Sequence, residues 1–119
     1  MDLIKACTCK DTKNALGLIM KNDINFGIFD DNGRTALIWA CEKGMKEVAL
    51  KLIKTEKSNP DHIDKGGRTA LIWACEKGIM KEVALELIKT EKSNPDHIDK
   101  GGKTALILTC QNKMTEVAL

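Results

Sequence analysis

Aromatic residues are nearly missing from this chain of 119 residues: Phe26, Phe29, Trp39 and Trp73 are present and tyrosine is absent. A core built on large rings is thereby excluded, and packing falls to Leu, Ile, Val and Ala, which suffice where layers are thin. Proline occurs twice, at Pro60 and Pro95, so long stretches are free to be helical. No apolar run approaches the roughly 18 residues of a membrane span, and no membrane partner is expected. The N-terminus MDLIKACTCKDTK has no basic segment leading into an apolar one, so no secretory signal is expected. Neither charge sign dominates: 19 Lys plus Arg face 17 Asp plus Glu, a formal net charge of +2. That balance makes no general electrostatic claim on nucleic acid or lipid.

What the chain does have is a copy of itself. The stretch GRTALIWACEKGMKEVALKLIKTEKSNPDHIDKG begins at Gly33, and a second copy begins at Gly67 with Glu86 in place of Lys51 and Ile79 inserted. A period of 34 to 35 residues in so short a chain implies stacked supersecondary units. Aligned on phase, the units are about 1–31, 32–65, 66–100 and a last one, 101–119, that stops at Val117-Ala118-Leu119; together they are expected to form one domain, 1–119. LIKAC at 3–7 matches LIWAC at 37–41, without the preceding Thr. Four of the five cysteines, Cys7, Cys41, Cys75 and Cys110, recur at the same phase, and Cys9 stands apart. One cysteine per unit is a packing position rather than half of a disulfide, and it suits a reducing compartment.

Within a unit, Thr35 is placed to cap a helix over Ala36–Lys43, with Leu37, Ile38, Ala40 and Cys41 on one face. Gly44 supplies the positive-φ residue that stops it. A second helix follows over Lys46–Lys54, its apolar face made by Val48, Ala49, Leu52 and Ile53, with Leu50 off the stripe. Ser58-Asn59-Pro60-Asp61 ends helical structure, and Asp64-Lys65-Gly66-Gly67 is a turn. Neither helix is long enough to stand alone, so each must bury its face on a neighbour.

The run G-R-T-A-L-I-W-A-C-E-K-G-x-x-E-V resembles the ankyrin repeat, whose core reads T-P-L-H-x-A. The resemblance implies an all-α, ankyrin-repeat solenoid of stacked helix-turn-helix units with projecting β-hairpin-like turns. The TALIWAC wording with its long TEKSNPDHID turn also looks like ankyrin proteins of giant DNA viruses that infect amoebae, which implies a viral protein in the host cytoplasm; otherwise the expected location is cytoplasmic. Departures from the family pattern are specific. Ala36, Ala70 and Ala105 replace its Pro, and Ile38, Ile72 and Ile107 replace its His. Lys57 and Lys92 stand where a Gly usually closes the second helix, and Asn112-Lys113 replaces the Lys-Gly stop.

No catalytic or metal constellation emerges, and no enzyme activity, cofactor or metal is expected. Cys7-Thr8-Cys9 lacks the two further ligands that a metal site needs. His62 and His97, each within Pro-Asp-His-Ile-Asp, read as a duplicated turn with no nucleophile to activate. Lys65-Gly66-Gly67-Arg68-Thr69 does not match a phosphate loop, and Asp30-Asp31-Asn32-Gly33 lacks the closing Glu of a calcium loop. Trp39 and Trp73, one period apart with Leu108 next in line, are expected to pack in the core rather than to form a base-stacking platform.

Function is then expected on the open surface, as a non-enzymatic protein-binding module. The resemblance carries over three rows of contact positions. The first row is Phe29, Asp31, Asn32, Arg34, Glu42 and Lys43. The second is Ile63, Lys65, Gly66, Arg68, Glu76 and Lys77. The third is Ile98, Lys100, Gly101, Lys103, Gln111 and Asn112. Phe29, Ile63 and Ile98 put one apolar residue on each finger, to be read either as partner anchors or as packing under the turn. The later rows are basic, which favours an acidic patch on the partner protein. Two other readings stay open. The truncated last unit leaves an apolar face that a second copy would cover as a weak dimer, and near-identical copies also suit a structural array or an engineered scaffold with no dedicated partner.

Overall fold

The computed structural model describes residues 2–21, 26–55, 58–76 and 81–89. Among the described residues six helices follow in chain order: α1 Leu3–Thr8, α2 Thr12–Lys21, α3 Ala36–Glu42, α4 Lys46–Lys54, α5 Ala70–Glu76 and α6 Lys81–Lys89. They form two layers. α1, α3 and α5 pack side by side in a front layer, α2, α4 and α6 in a back layer, and each front helix packs on the back helix that follows it. No extended strand occurs among the described residues; a single antiparallel bridge joins Phe29 and Thr35 at the base of the first projecting turn.

The helix starts follow from their caps. Thr35 lies in extended backbone, and its hydroxyl accepts the Ile38 N–H at 3.2 Å; Thr69 does the same for Ile72 at 3.3 Å. Both threonines are fully buried, so water cannot replace the bond. The first unit, which lacks the Thr, uses Asp2, whose Oδ1 accepts the Lys5 N–H at 2.7 Å. At the other end of α3, Gly44 takes a φ of +71° and lets the Met45 N–H reach the Ala40 carbonyl at 2.8 Å. Lys10 fills that role after α1 with a φ of +57°, and the Asp11 N–H reaches the Ala6 carbonyl at 2.8 Å. A lysine there carries the steric cost that glycine avoids. α4 ends at Thr55, whose N–H and hydroxyl both donate to the Leu52 carbonyl, at 3.0 and 2.8 Å. The helix therefore stops before Lys57, which like Lys92 and Asn112 lies outside the described residues.

Leu37, Ile38, Ala40 and Cys41 of α3 are buried against Val48, Ala49 and Leu52 of α4, and their counterparts Leu71, Ile72, Ala74, Cys75, Val83, Ala84 and Leu87 repeat the layer. Each fully buried Leu or Ile contributes about 1.5–3 kcal/mol through removal of apolar surface from water. Leu50 and Ile53 are partly buried at the edge of this core. Cys7, Cys41 and Cys75 sit inside it as free thiols, while Cys9 is exposed; Cys110 lies outside the described residues. Burial pushes the Cys7 and Cys75 thiols up to about 12, and Cys41 is raised as well, by burial first and then by its two neighbouring thiols. Thiols held that far from ionisation are inert packing groups.

Two outcomes are expected. Brief treatment of the folded protein with iodoacetamide, mapped by mass spectrometry, labels Cys9 and leaves Cys7, Cys41 and Cys75 unmodified until denaturant is added. Lys10→Gly stabilises the protein by about 0.5–1 kcal/mol in urea unfolding, because the strain of a side chain in left-handed backbone is removed and glycine's extra unfolded-state entropy offsets part of the gain.

Candidate protein-binding surface

Each of the two described projecting turns is organised by one aspartate. The Asp30 N–H donates to the Arg34 carbonyl at 3.1 Å and the Gly33 N–H to the Asp30 carbonyl at 2.9 Å; Asp64, Arg68 and Gly67 repeat the pair at 2.9 and 3.0 Å. Inside the turn, Asp30 Oδ1 accepts the N–H groups of Asn32 and Arg34 at 2.9 and 3.1 Å. Asp64 Oδ1 accepts those of Gly66 and Arg68, both at 2.9 Å. Successive turns are then tied together, since the Lys65 N–H donates to the Asn32 carbonyl at 3.1 Å. Gly33 is required at this junction. Its φ is +72°, and a Cβ there would come 3.0 Å from the Lys65 nitrogen.

The second carboxylate oxygen faces the helices. Asp30 Oδ2 accepts the Trp39 indole N–H at 2.6 Å, and Asp64 Oδ2 accepts that of Trp73 at 2.9 Å. Asp64 Oδ2 also accepts Arg34 Nε at 3.3 Å, across the unit boundary, and the Asp64 side chain is 1% exposed. Arg34 lies between the two tryptophans, its guanidinium carbon 4.6 Å from the Trp39 ring centre and 4.7 Å from that of Trp73. Arg68 stacks on Trp73 at 4.7 Å and pairs with Glu76. The result is an alternating stack, Trp39–Arg34–Trp73–Arg68, on the front of the molecule. Burial opposes ionisation of Asp30, but the Trp39 indole, the Arg34 and Asn32 amides and the Arg34 charge outweigh it and hold its carboxyl below the usual carboxylate range.

The tryptophans pack against the core at its edge rather than inside it. Both are half-buried, with guanidinium groups on their faces and their indole N–H groups bound to carboxylates. Periodicity marks their phase, but it does not reveal that a cation from the preceding turn reaches the ring. His62 is also structural. Its Nε2 hydrogen-bonds the Gly33 carbonyl at 2.9 Å, which makes Nε2 the protonated nitrogen, and its ring stacks on Phe29 with centres 4.7 Å apart. The duplicated-turn reading of the Asp-His-Asp segment fits this contact, which joins one unit to the next.

The structure brings the described residues of the first two rows of expected contacts onto one side. Phe29 is 60% exposed and Ile63 42%, beside an exposed Ile28. Phe29 shares one face with His62 and keeps the rest open, so neither residue is buried beneath its turn. Asp31, Asn32, Lys65 and Gly66 are at the turn tips, and Glu42, Lys43 and Glu76 line the front helices at intermediate exposure. Arg34 and Arg68 depart from the expectation of free basic contacts, because Asp64 and Glu76 neutralise them and tryptophan faces hold them. Lys77, Ile98, Lys100, Gly101, Lys103, Gln111 and Asn112 lie outside the described residues, as does the last unit. Sequence reasoning passed over Asp30, Asp64 and His62 as contributors to this surface; the signal was the identical Asp-x-x-Gly-Arg-Thr spacing in both turns. Among the described residues no group of three or more His, Cys, Asp or Glu is placed to hold a metal, and no helix is long and apolar enough to cross a membrane.

A family model of ankyrin repeats, in three copies, matches residues 47–119. The chain belongs to the ankyrin repeat family. Ankyrin repeats generally act as protein–protein interaction modules. Among solved structures, this ankyrin chain is similar to one chain in a complex of the predatory endopeptidase Bd0816 from Bdellovibrio bacteriovorus with immunity protein Bd3460, at 31% identity and a TM-score of 0.80. The likeness covers 98% of this chain and 59% of that one. No curated protein matches the ankyrin chain. Because 288 solved chains match it, the ankyrin fold alone does not single out a partner.

Replacing Asp64 tests the turn architecture. Asp64→Ala is expected to lower stability by about 3–5 kcal/mol in urea unfolding, since a buried carboxylate with several donors is lost and Arg34 is left unpaired. Asp31→Ala, one turn earlier and exposed, is expected to change it by less than about 0.5 kcal/mol.

Proposed function

We propose that this chain is a non-enzymatic protein-binding module, acting as adaptor, scaffold or competitor, and that it grips a partner protein through its turn tips and the open side of its front helices. The observation that carries the reading is the pair of apolar side chains, Phe29 and Ile63, presented on neighbouring tips that are rigidly pinned from beneath by Asp30, Asp64 and His62. Exposed apolar groups on a preorganised frame bind without a large ordering cost. Asp31, Asn32, Glu42, Lys43, Lys65, Gly66 and Glu76 supply the polar surround. Arg34 and Arg68 contribute mainly as supports for the tryptophan faces. Lys77 of the second row and the third row (Ile98, Lys100, Gly101, Lys103, Gln111 and Asn112) join by sequence register.

With both arginines neutralised, the basic character of the later rows falls to Lys65, Lys77 and the third-row cations Lys100 and Lys103, and an acidic patch on the partner belongs over those later fingers. The occurrence of a similar chain in an endopeptidase–immunity protein complex favours a competitor that covers its partner over a purely structural array. The buried thiols suit a reducing compartment, and we place the module in the cytoplasm.

Affinity capture from cell extract, comparing the unaltered chain with Phe29→Ala/Ile63→Ala, tests the face. Both residues are exposed, so the double variant folds normally, and loss of two anchors lowers affinity for a true partner by at least about tenfold. Equal recovery of every captured protein by both versions would show the assigned face to be wrong.

A further inference from the structure

Among the described residues, the alternating stack on the front of the molecule is one arginine short at Trp39. At Trp73 the pattern is complete: Arg34 of the preceding turn covers one face, Arg68 of its own turn covers the other, and the Arg34 guanidinium also donates to Asp64 Oδ2. Trp39 and Asp30 repeat the geometry of Trp73 and Asp64 one unit earlier, down to the indole–carboxylate bond. Trp39 receives the arginine of its own turn, Arg34, at 4.6 Å. Among the described residues no second arginine lies on the Trp39 ring. Lys5 stands on α1 where Trp39 stands on α3, and it makes no cation–π contact with Trp39. Asp30 Oδ2, whose counterpart Asp64 Oδ2 holds Arg34, receives the indole N–H and no guanidinium among the described residues.

We propose that the outer face of Trp39 together with Asp30 Oδ2 is a receptor for one arginine side chain of the partner protein. The chain itself shows what fits, since Arg34 occupies the equivalent place against Trp73 and Asp64. A guanidinium is the right ligand: it is flat enough to stack on an indole and carries N–H groups to reach the carboxylate at the same time, which a lysine ammonium does not match. The local charge is suited to it. Asp31 is exposed on the same tip, and Glu42, one helical turn beyond Trp39, has a buried Oε2 with no hydrogen-bond donor. Against these stand Lys5 and Lys43. The Lys43 ammonium lies 5.7 Å from the Trp39 ring centre and 4.0 Å from Glu42, a loose hold that an incoming guanidinium displaces. This inference rests on the protein-binding reading and gives the partner a polarity: an arginine over the first finger, with its acidic side toward the later ones.

The two tryptophans give two separate indole N–H signals in a nitrogen-correlated NMR spectrum, so the site carries its own reporter and its own control. Titration with acetyl-arginine amide is expected to shift the Trp39 indole signal saturably and leave that of Trp73 in place, with acetyl-lysine amide binding more weakly by about threefold or more. Asp30→Asn keeps an acceptor for the turn and removes the charge, and should weaken arginine binding about fivefold. Binding at Asp30 is also expected to shift the Asn32 amide, which donates to Asp30 Oδ1 at 2.9 Å, and Trp39→Leu, which installs the side chain found at Leu108, should abolish that shift. Equal movement of both indoles, or a Trp39 signal that does not saturate, overturns the proposal. With a captured partner, dependence on Phe29 and Ile63 but indifference to Asp30→Asn removes the arginine receptor and leaves the binding module standing. A probe that binds at Trp39 when no partner depends on the tips does the reverse.

Discussion

A helix of six to ten residues does not hold its shape in water, and the described helices of this chain are all of that length. Each persists because its apolar face is buried on two neighbours, one within its own pair and one in the next pair along. α3 packs on α4 and α5 together, and α5 in turn packs on α3 and α6. Stability is therefore a property of the stack and not of any unit, as the additive behaviour of repeat arrays requires. The scarcity of aromatic residues follows from the same geometry, since a layer one helix thick has little room for rings.

Apolar burial is nondirectional, and by itself it would let one pair slide or rotate on the next. The polar seam along the turns removes that freedom. Asp64 binds its own turn, its own tryptophan and the arginine of the preceding unit, and His62 reaches back to the Gly33 carbonyl. These bonds are short in reach and specific in direction, so they are satisfied in one register only. The tips then project from a frame with few soft dihedrals, which is what a binding surface needs if ordering is not to consume its affinity.

The surface that results is divided by role. Tip residues such as Phe29, Ile63, Asp31 and Lys65 face outward and are free of structural duty beyond the Phe29–His62 stack and the backbone tie at Lys65. Arg34 and Arg68, which look like their equals in sequence, belong to the frame. The distinction matters for engineering: exchanging tip residues alters recognition, whereas exchanging the arginines alters the spacing of the tips themselves.

The amino-acid sequence by itself determined the period, the helix phases and the caps, because these depend on interactions within a few residues: Thr35 with Ile38, Gly44 with the end of α3, Val48 with Leu52 on one face. It also determined that the cysteines are packing groups, since recurrence at one phase places Cys7, Cys41 and Cys75 on the same buried stripe. The tertiary structure decided what crosses from one unit to the next. That Arg34 leaves its own turn to lie on Trp73 and bind Asp64, thirty residues further on, has no local signature. Nor does the left-handed Lys10, which takes a glycine's place in the turn between α1 and α2. Sequence pattern records which residues share a face; the pairing of charges across faces is settled by distances that exist only once the layers have met.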